Sequence, residues 1–163
     1  MSIAAHIKAS LDLPNIIVQG YLADLTDCQL LVRPQPQMNH IAWQLGHLIS
    51  GENFHVNQVV PDSMPELPDG FADKHTIETS VIDDPEAFYS KAEYVAEMQR
   101  QRAGTLAVLA QLSDEQLLSP SPESIHYFGP TIGSVFAGEA THWMMHAGQW
   151  AVVRRNLGKP PLY

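Results

Sequence analysis

One long helix, predicted between Thr131 and Gly158, constrains the fold of this chain more than any other stretch. Thr131 is a favourable N-cap, and Gly158 followed by Lys-Pro-Pro is a strong helix stop. Between them, apolar side chains follow alternating steps of four and three residues, the spacing that keeps one helix face against a partner. The apolar members of this seam are Ile132, Phe136, Trp143, Trp150, Val153 and Leu157. The pattern predicts a helix packed within a bundle.

Polar residues interrupt the middle of this seam. Glu139 and His146 occupy seam positions, and His142 lies one helical turn before His146. Burying an acid and two imidazoles without partners would cost several kcal/mol, so we expect partners for them inside the bundle. Two histidines one turn apart can ligate one metal ion through neutral imidazole nitrogens. The alternative is that both histidines only form hydrogen bonds in an ordinary core, so a metal site needs a third ligand.

Two further long helices are predicted before the middle of the chain. The first covers residues 2–25, where Pro14 either kinks the helix or stands in the first turn of a second segment capped by Asp12. We favour the kink. The second helix extends from an Asn39 cap to Pro61 and carries a stripe of apolar residues.

A long crossover separates the second helix from the third. Residues 61–83 are rich in Pro and Asp and show no helical period, so they predict a loop able to span a bundle from end to end. The third helix is predicted from Asp84 to about Leu112, with Arg102 on its solvated outer face. We therefore predict one all-α domain over residues 1–163, a four-helix bundle with a long crossover between helices two and three.

A short internal repeat relates the two halves of the chain. Residues 25–31 read LTDCQLL and residues 112–118 read LSDEQLL, and each stretch precedes a Pro-x-Pro segment and a histidine-bearing helix. Both have capping-box spacing, which predicts a short helical turn at each. Two such halves would bring His47 of the second helix opposite His142 and His146, which makes His47 the candidate third ligand.

The surroundings of this candidate site are also predicted from the chain. Gly51, one turn after His47, is expected to allow a close approach beside it, and Trp43 could line the pocket. The loop over residues 119–130 could contribute His126 or Tyr127 to the mouth of the site. His6 and His75 are expected at the surface or in loops, and the roles of His40 and His55 stay open.

Charge and composition exclude some classes of partner. The 163 residues include 9 Lys and Arg against 18 Asp and Glu, a formal charge of −9 that disfavours nucleic acid and anionic membranes. The first residues carry His6, Lys8 and Asp12 and do not resemble a signal peptide, and no apolar run approaches a membrane span. The single cysteine, Cys28, cannot form an internal disulfide. We expect a cytoplasmic protein.

Three imidazoles from two helices would suit a catalytic metal ion with an open coordination position. We expect Zn²⁺ or Ni²⁺, with Co²⁺ or Fe²⁺ as alternatives, because nitrogen ligands alone discriminate poorly between these ions. Such an ion lowers the pKa of a bound water or thiol and supplies a nucleophile at neutral pH. Glu139 could be a hydrogen-bond partner of a ligand, a further ligand or a general base.

Two runs of sequence resemble a known family. NHIAWQLGHL at residues 39–48, and HWMMHAGQ at residues 142–149 with VRRNLGKP after it, look like the DinB-like superfamily of metal-binding four-helix proteins. Relatives include bacillithiol S-transferases and the metal-binding domains of mycothiol-dependent maleylpyruvate isomerases. The resemblance implies a divalent metal held by His47, His142 and His146. It also implies a thiol transferase or hydrolase acting on a small molecule, a low-molecular-weight thiol as co-substrate in some members, and a homodimer in many.

Two other functions compete with this interpretation. A di-iron carboxylate bundle would use Glu52-x-x-His55 and Glu139-x-x-His142, but no glutamate precedes Glu52 to supply the carboxylate expected from the first helix. A metal-free interaction module would have its histidines satisfied by one another, by Glu139 and by buried water.

Overall fold

The computed structural model describes residues 2–162, and their regular secondary structure is entirely helical. The α-helices are α1 (Ile3–Ala23), α2 (Ile41–Val59), α3 (Lys91–Leu109), α4 (Asp114–Leu118) and α5 (Ile132–Asn156). The four long helices form a bundle, in which α1 packs against α3 and α5, and α2 packs against the same two helices. The predicted all-α class and four-helix bundle are confirmed.

Helices α2 and α5 are antiparallel neighbours. Gln44, near the start of α2, contacts Gln149 near the end of α5, and His55, near the end of α2, contacts Glu139 in the first half of α5. Side chains three or four residues apart on the facing sides of these two helices therefore meet across a shared interface over several turns. This interface holds the predicted site.

The crossover between α2 and α3 returns the chain along the length of the bundle. The Lys91 Nζ atom, at the start of α3, donates to the Leu22 carbonyl at the end of α1. The end of α1 also meets the end of α5, where Arg154 donates to the Tyr21 carbonyl. Helix α3 therefore runs opposite to α1 and in the same direction as α2. Three 3₁₀ turns lie in the connection: Ala72–His75, Glu78–Val81 and Pro85–Ala87. The predicted long crossover is confirmed.

Local capping chemistry sets the helix boundaries, and the predicted starts of the second and third helices differ from those observed. Helix α1 is continuous through Pro14, so the alternative of a second segment capped by Asp12 is wrong. His40, rather than Asn39, caps α2 because its Nδ1 atom accepts the Trp43 backbone N–H at 3.1 Å. Helix α3 begins after Ser90, which forms a capping box with its N3 glutamate.

The predicted Asp84 start of the third helix is therefore also corrected. Asp84 caps only the short Pro85–Ala87 turn, and its side chain accepts the Glu86 backbone N–H. By contrast, the boundaries predicted for the last helix hold. Thr131 caps α5 in a reciprocal pair with Ser134, and Gly158 follows the helix with a φ of 72°, a conformation that favours glycine.

The two halves of the short repeat fold alike. Thr26 and Gln29 exchange reciprocal side-chain-to-backbone hydrogen bonds at the start of the Cys28–Leu31 turn. Ser113 and Gln116 do the same at the start of α4. The predicted helical turns are confirmed. No helix within residues 2–162 has the combination of length and apolar character needed to cross a bilayer.

Candidate metal centre

Three histidine side chains converge between α2 and α5. His47 projects from α2, and His142 and His146 project from α5, so that each offers one nitrogen within 4.8 Å of the other two. The ring centroids lie 5.1 to 5.5 Å apart. Within residues 2–162 this is the only cluster of three or more His, Cys, Asp or Glu side chains close enough to hold a metal ion. The predicted meeting of the three residues is observed.

The orientation of His146 follows from its hydrogen-bond partner on α2. The Nδ1 atom of His146 lies 2.9 Å from Oε1 of Gln44, so Nδ1 carries the hydrogen and Nε2 keeps a free lone pair. A histidine whose second nitrogen donates to a fixed acceptor is the usual arrangement of a metal ligand. Gln44 therefore leaves Nε2 of His146 free to act as a ligand.

The other two histidines also fit a metal ligand. The ring of Trp43 stacks on that of His47 with centroids 5.1 Å apart and planes 9° from parallel, which restricts the rotation of His47. Nδ1 of His142 is buried and has no hydrogen-bond partner within the described chain. A buried polar nitrogen left without a partner costs free energy, and coordination of a cation by this nitrogen would offset that cost. The donor set thus suits a divalent transition metal.

Burial keeps the three imidazoles neutral. Desolvation, reinforced by the neighbouring histidines, lowers the pKa of His142 to about 3, and desolvation lowers the pKa of His146 to about 4. The pKa of His47 is lowered for the same reason. Neutral imidazole is the form that binds metals, so protons compete weakly for these ligands at neutral pH.

A cavity of about 430 Å³ opens beside His47 and His142. This volume is in the range of small-molecule sites, which is roughly 300–1,000 Å³. Its wall includes Phe54, Tyr127 and Phe128, and no Lys, Arg, Asp or Glu side chain lines it. The loop over residues 119–130 contributes, as predicted, and the crossover contributes Ala72 and His75. Tyr127 takes part, whereas His126 does not line the cavity and instead bonds the Ser121 hydroxyl.

Glu139 pairs with a histidine that the sequence left without a role. Its Oε1 atom accepts the Nδ1 hydrogen of His55 at 2.7 Å, and the Tyr127 hydroxyl donates to the other nitrogen of His55 at 3.2 Å. Burial raises the pKa of Glu139 to about 7, although the hydrogen bond from His55 acts to lower it. Glu139 lies outside the three-histidine cluster. The spacing along α2 placed His55 two turns after His47, but no local sequence pattern indicated Glu139 as the partner of His55.

Glu52 belongs to a separate buried network. Its two oxygens accept from Thr105 at 2.6 Å and from the Trp143 indole at 2.9 Å, and Arg102 lies 3.0 Å away. The expectation that Arg102 lies on a solvated face is therefore wrong, because the residue is 8% exposed and neutralises a buried carboxylate. These contacts occupy Glu52, so within the described residues the carboxylates of a di-iron site do not assemble.

The surroundings of His75 and Gly51 differ in part from those expected. His75 lies in the crossover loop, one of its two expected places, but it is buried there and bonds the Phe71 carbonyl at 2.8 Å and the Tyr94 hydroxyl at 2.7 Å. The close approach involves Gly46, where a Cβ would lie 2.1 Å from the His75 ring. At Gly51 a Cβ would meet only ordinary contacts at 3.9 Å.

Comparison with known proteins identifies the family. A model described as the DinB superfamily matches residues 17–150. The chain belongs to the DinB superfamily. This superfamily typically binds a divalent metal, which agrees with the histidine cluster in this DinB-superfamily member.

Its fold also matches a solved structure. A crystal structure of a conserved protein from Enterococcus faecalis superposes with a TM-score of 0.72 over 98% of this chain and 99% of that chain. The two sequences are 18% identical, so the likeness establishes the fold alone. No curated protein gave a significant match to this DinB-superfamily sequence.

Proposed function

We propose that this chain binds one divalent metal ion through His47, His142 and His146 and uses it to activate a thiol or water. The nucleophile then attacks an electrophilic small molecule held in the adjoining cavity. The observation that carries this proposal is the convergence of three ligand nitrogens within 4.8 Å of one another beside a cavity of about 430 Å³. Three protein ligands leave a coordination position open, as in catalytic rather than structural zinc sites.

Zinc or nickel is the ion that we assign to the site. Imidazole ligands suit both ions, and the neutral state of the buried rings favours binding at neutral pH. When bound, such an ion lowers the pKa of a coordinated thiol or water towards neutrality. The chain itself holds the ligands in place, through the hydrogen bond of Gln44 to His146 and the stacking of Trp43 on His47.

The cavity wall indicates the class of substrate. Aromatic side chains without a neighbouring Lys, Arg, Asp or Glu favour an uncharged apolar or aromatic electrophile. An apolar wall also suits the hydrocarbon part of a thiol, which favours transfer of a thiol over hydrolysis when both nucleophiles are present. A low-molecular-weight thiol is therefore the proposed co-substrate, and an uncharged part of it would enter the cavity.

Metal analysis of the purified, tag-free protein tests the site. After dialysis, we expect about one zinc or nickel ion per chain, and its loss in the His47→Ala and His142→Ala variants. His126→Ala is the matched control, because this exposed histidine lies near the site but does not line the cavity. Retention of the metal in both ligand variants, or its absence from the wild-type protein after loading, would overturn the proposal. Circular dichroism of each variant shows whether the helices are preserved.

Two generic electrophiles then separate transfer from hydrolysis. The loaded protein is given 1-chloro-2,4-dinitrobenzene with an added small thiol, and 4-nitrophenyl acetate without one. We expect metal-dependent formation of the thioether, abolished in the His142→Ala variant. Metal-dependent release of 4-nitrophenol alone would assign the hydrolase form, and no metal-dependent turnover with either electrophile would contradict the proposed substrate class.

A further inference from the structure

A carboxylate–imidazole pair lies beside the proposed metal site. His55 on α2 and Glu139 on α5 are joined by a hydrogen bond of 2.7 Å, and both side chains are buried. The pair connects residues 84 positions apart in the chain. None of the three proposed ligands belongs to it.

The hydrogen bonds of the pair fix the state of His55. When Glu139 is ionised, its carboxylate can only accept, so the Nδ1 atom of His55 then carries the hydrogen and its Nε2 atom is an acceptor. The hydroxyl of Tyr127, a residue that is 75% exposed at the cavity mouth, donates to this Nε2 atom at 3.2 Å. His55 is therefore held with its basic nitrogen towards the opening of the cavity.

The charges around Glu139 favour uptake of a proton by the pair. The neighbouring Glu52 is neutralised by Arg102 at 3.0 Å and accepts two further hydrogen bonds. Glu139, in contrast, is fully buried, and its Oε2 atom has no partner within residues 2–162. Within the described residues, His55 is thus the sole hydrogen-bond donor to this buried carboxylate, whose charge would otherwise be left without a partner.

His55 shares the cavity with the proposed ligands. A Cβ added to Gly51 would lie 3.9 Å from Cε1 of His55 and 3.9 Å from Cε1 of His142. The two ring carbons therefore cannot be further apart than the sum of these two distances. Phe128 also stacks on His55 at 4.0 Å and meets the edge of His142 at 5.7 Å. A small molecule in the cavity can therefore reach both rings.

We propose that His55 accepts the proton of the attacking thiol, with Glu139 as the positioning residue. The inference rests on the thiol form of the proposed function. The S–H bond breaks and its electron pair stays on sulfur, which forms the new bond to the electrophilic carbon. The leaving group departs with the electron pair of the bond that breaks. The Tyr127 hydroxyl turns its own hydrogen to solvent as Nε2 of His55 takes up the thiol proton, and then accepts from the protonated ring. The proton stays on Nε2 until it passes to the leaving group or to solvent at the cavity mouth.

Counting protons during thiol binding tests this role without turnover. Benzyl mercaptan, an uncharged aromatic thiol, is titrated into the zinc-loaded protein at pH 7.5 in buffers of different ionisation enthalpy. The dependence of the measured heat on the buffer gives the number of protons released per thiol. We expect the wild-type protein to release at least about half a proton fewer than the His55→Gln variant, because His55 retains part of the released proton.

Matched variants separate a proton acceptor from a merely structural pair. His55→Gln keeps a hydrogen bond to Glu139, and a His55→Leu/Glu139→Leu double variant removes the pair with apolar residues in case the single variant is unstable. Glu139→Gln should shift the proton count towards that of His55→Gln, while His126→Ala should match the wild type. Zinc content and thermal unfolding are measured for each.

The outcomes are distinguishable. Equal proton release by the wild-type protein and both His55 variants, with zinc and thiol bound in all, would overturn this inference and leave the proposed function intact. A wild-type count for Glu139→Gln would overturn the positioning role. Failure of the zinc-loaded wild-type protein to bind the thiol would remove the thiol form of the proposed function and this inference with it.

Discussion

Gln44 fixes the orientation of His146 across the interface between α2 and α5. Its Oε1 atom lies 2.9 Å from Nδ1 of His146 and 2.8 Å from the indole nitrogen of Trp150. Because an indole nitrogen can only donate, the amide oxygen of Gln44 must face it, and the same oxygen then requires a hydrogen on Nδ1 of His146. The free Nε2 lone pair is consequently available to a metal ion.

Replacing Gln44 with Leu should weaken metal binding. Loss of an acceptor that orients a ligating histidine typically reduces metal affinity by about 10–100-fold. Two buried donors would also lose their acceptor, which should lower the free energy of unfolding by about 1–3 kcal/mol. Competition with a fluorescent chelator measures the first effect and urea unfolding the second. Gln149→Ala is the control, since it removes a contact to the amide nitrogen of Gln44 but keeps the oxygen. Wild-type affinity in Gln44→Leu would contradict the assigned orientation.

Gly46→Ala should destabilise the protein, whereas Gly51→Ala should not. A Cβ at position 46 would lie 2.1 Å from the His75 ring, which hydrogen bonds at both nitrogens hold in place. Overpacking of this kind costs about 1–3 kcal/mol. At position 51 the contacts are ordinary, and alanine in a helix is favoured by up to about 1 kcal/mol over glycine. Thermal unfolding of the two variants makes the comparison, and equal effects would refute it.

The metal-free protein should lose stability as the pH falls from about 6.5 towards 4. The folded-state pKa is about 3 for His142 and about 4 for His146 and His75, all below the ordinary value of 6.5 because of burial. The unfolded chain therefore binds more protons in this window, and acidification favours unfolding. Glu139 acts in the opposite sense, because its raised pKa of about 7 makes the folded state bind a proton more readily than the unfolded chain.

Urea unfolding at a series of pH values measures this dependence. His142→Gln, which removes one of the buried imidazoles, should show a shallower loss of stability than the wild-type protein between pH 6.5 and 4. Because both proteins contain Glu139, most of its opposing effect on the pH dependence of stability cancels in this comparison. Identical slopes in the two proteins would show that His142 does not stay neutral in the folded state.

Arg102→Leu should be strongly destabilising, unlike the removal of a surface cation. Its partner Glu52 is 1% exposed and would be left as an uncompensated buried charge, at a cost of about 3–5 kcal/mol. The double variant with Glu52→Leu should recover much of this loss, since neither charge then remains buried. Lys8→Ala, which removes an exposed pair with Asp12 at 3.7 Å, should change stability by less than about 0.5 kcal/mol. Chemical unfolding of the wild-type protein and of these three variants measures the differences.

Much of the fold and two histidines of the candidate site could be predicted because they depend on local spacing, whereas His47 was assigned from the internal repeat and the family resemblance. Steps of three and four residues decide which side chains share a helix face, so His142, His146 and the buried seam of α5 were visible in the sequence. The caps at Thr131 and Gly158 depend on neighbours a few residues away. The Pro- and Asp-rich crossover was equally recognisable, because its sequence shows no helical period.

Contacts between distant residues could not be derived in this way. His40 rather than Asn39 caps α2, because the second ring nitrogen of His40 also donates to the carbonyl of Ile82, which is a residue of the crossover. Position 46 requires glycine because a Cβ there would clash with the His75 ring, and the position of His75 depends on the path of the same crossover. The pairing of His55 with Glu139 depends on the relative rotation and height of α2 and α5. Helical periodicity specifies a face but not which residue of another helix meets it, and that choice is made by side-chain packing over the whole interface.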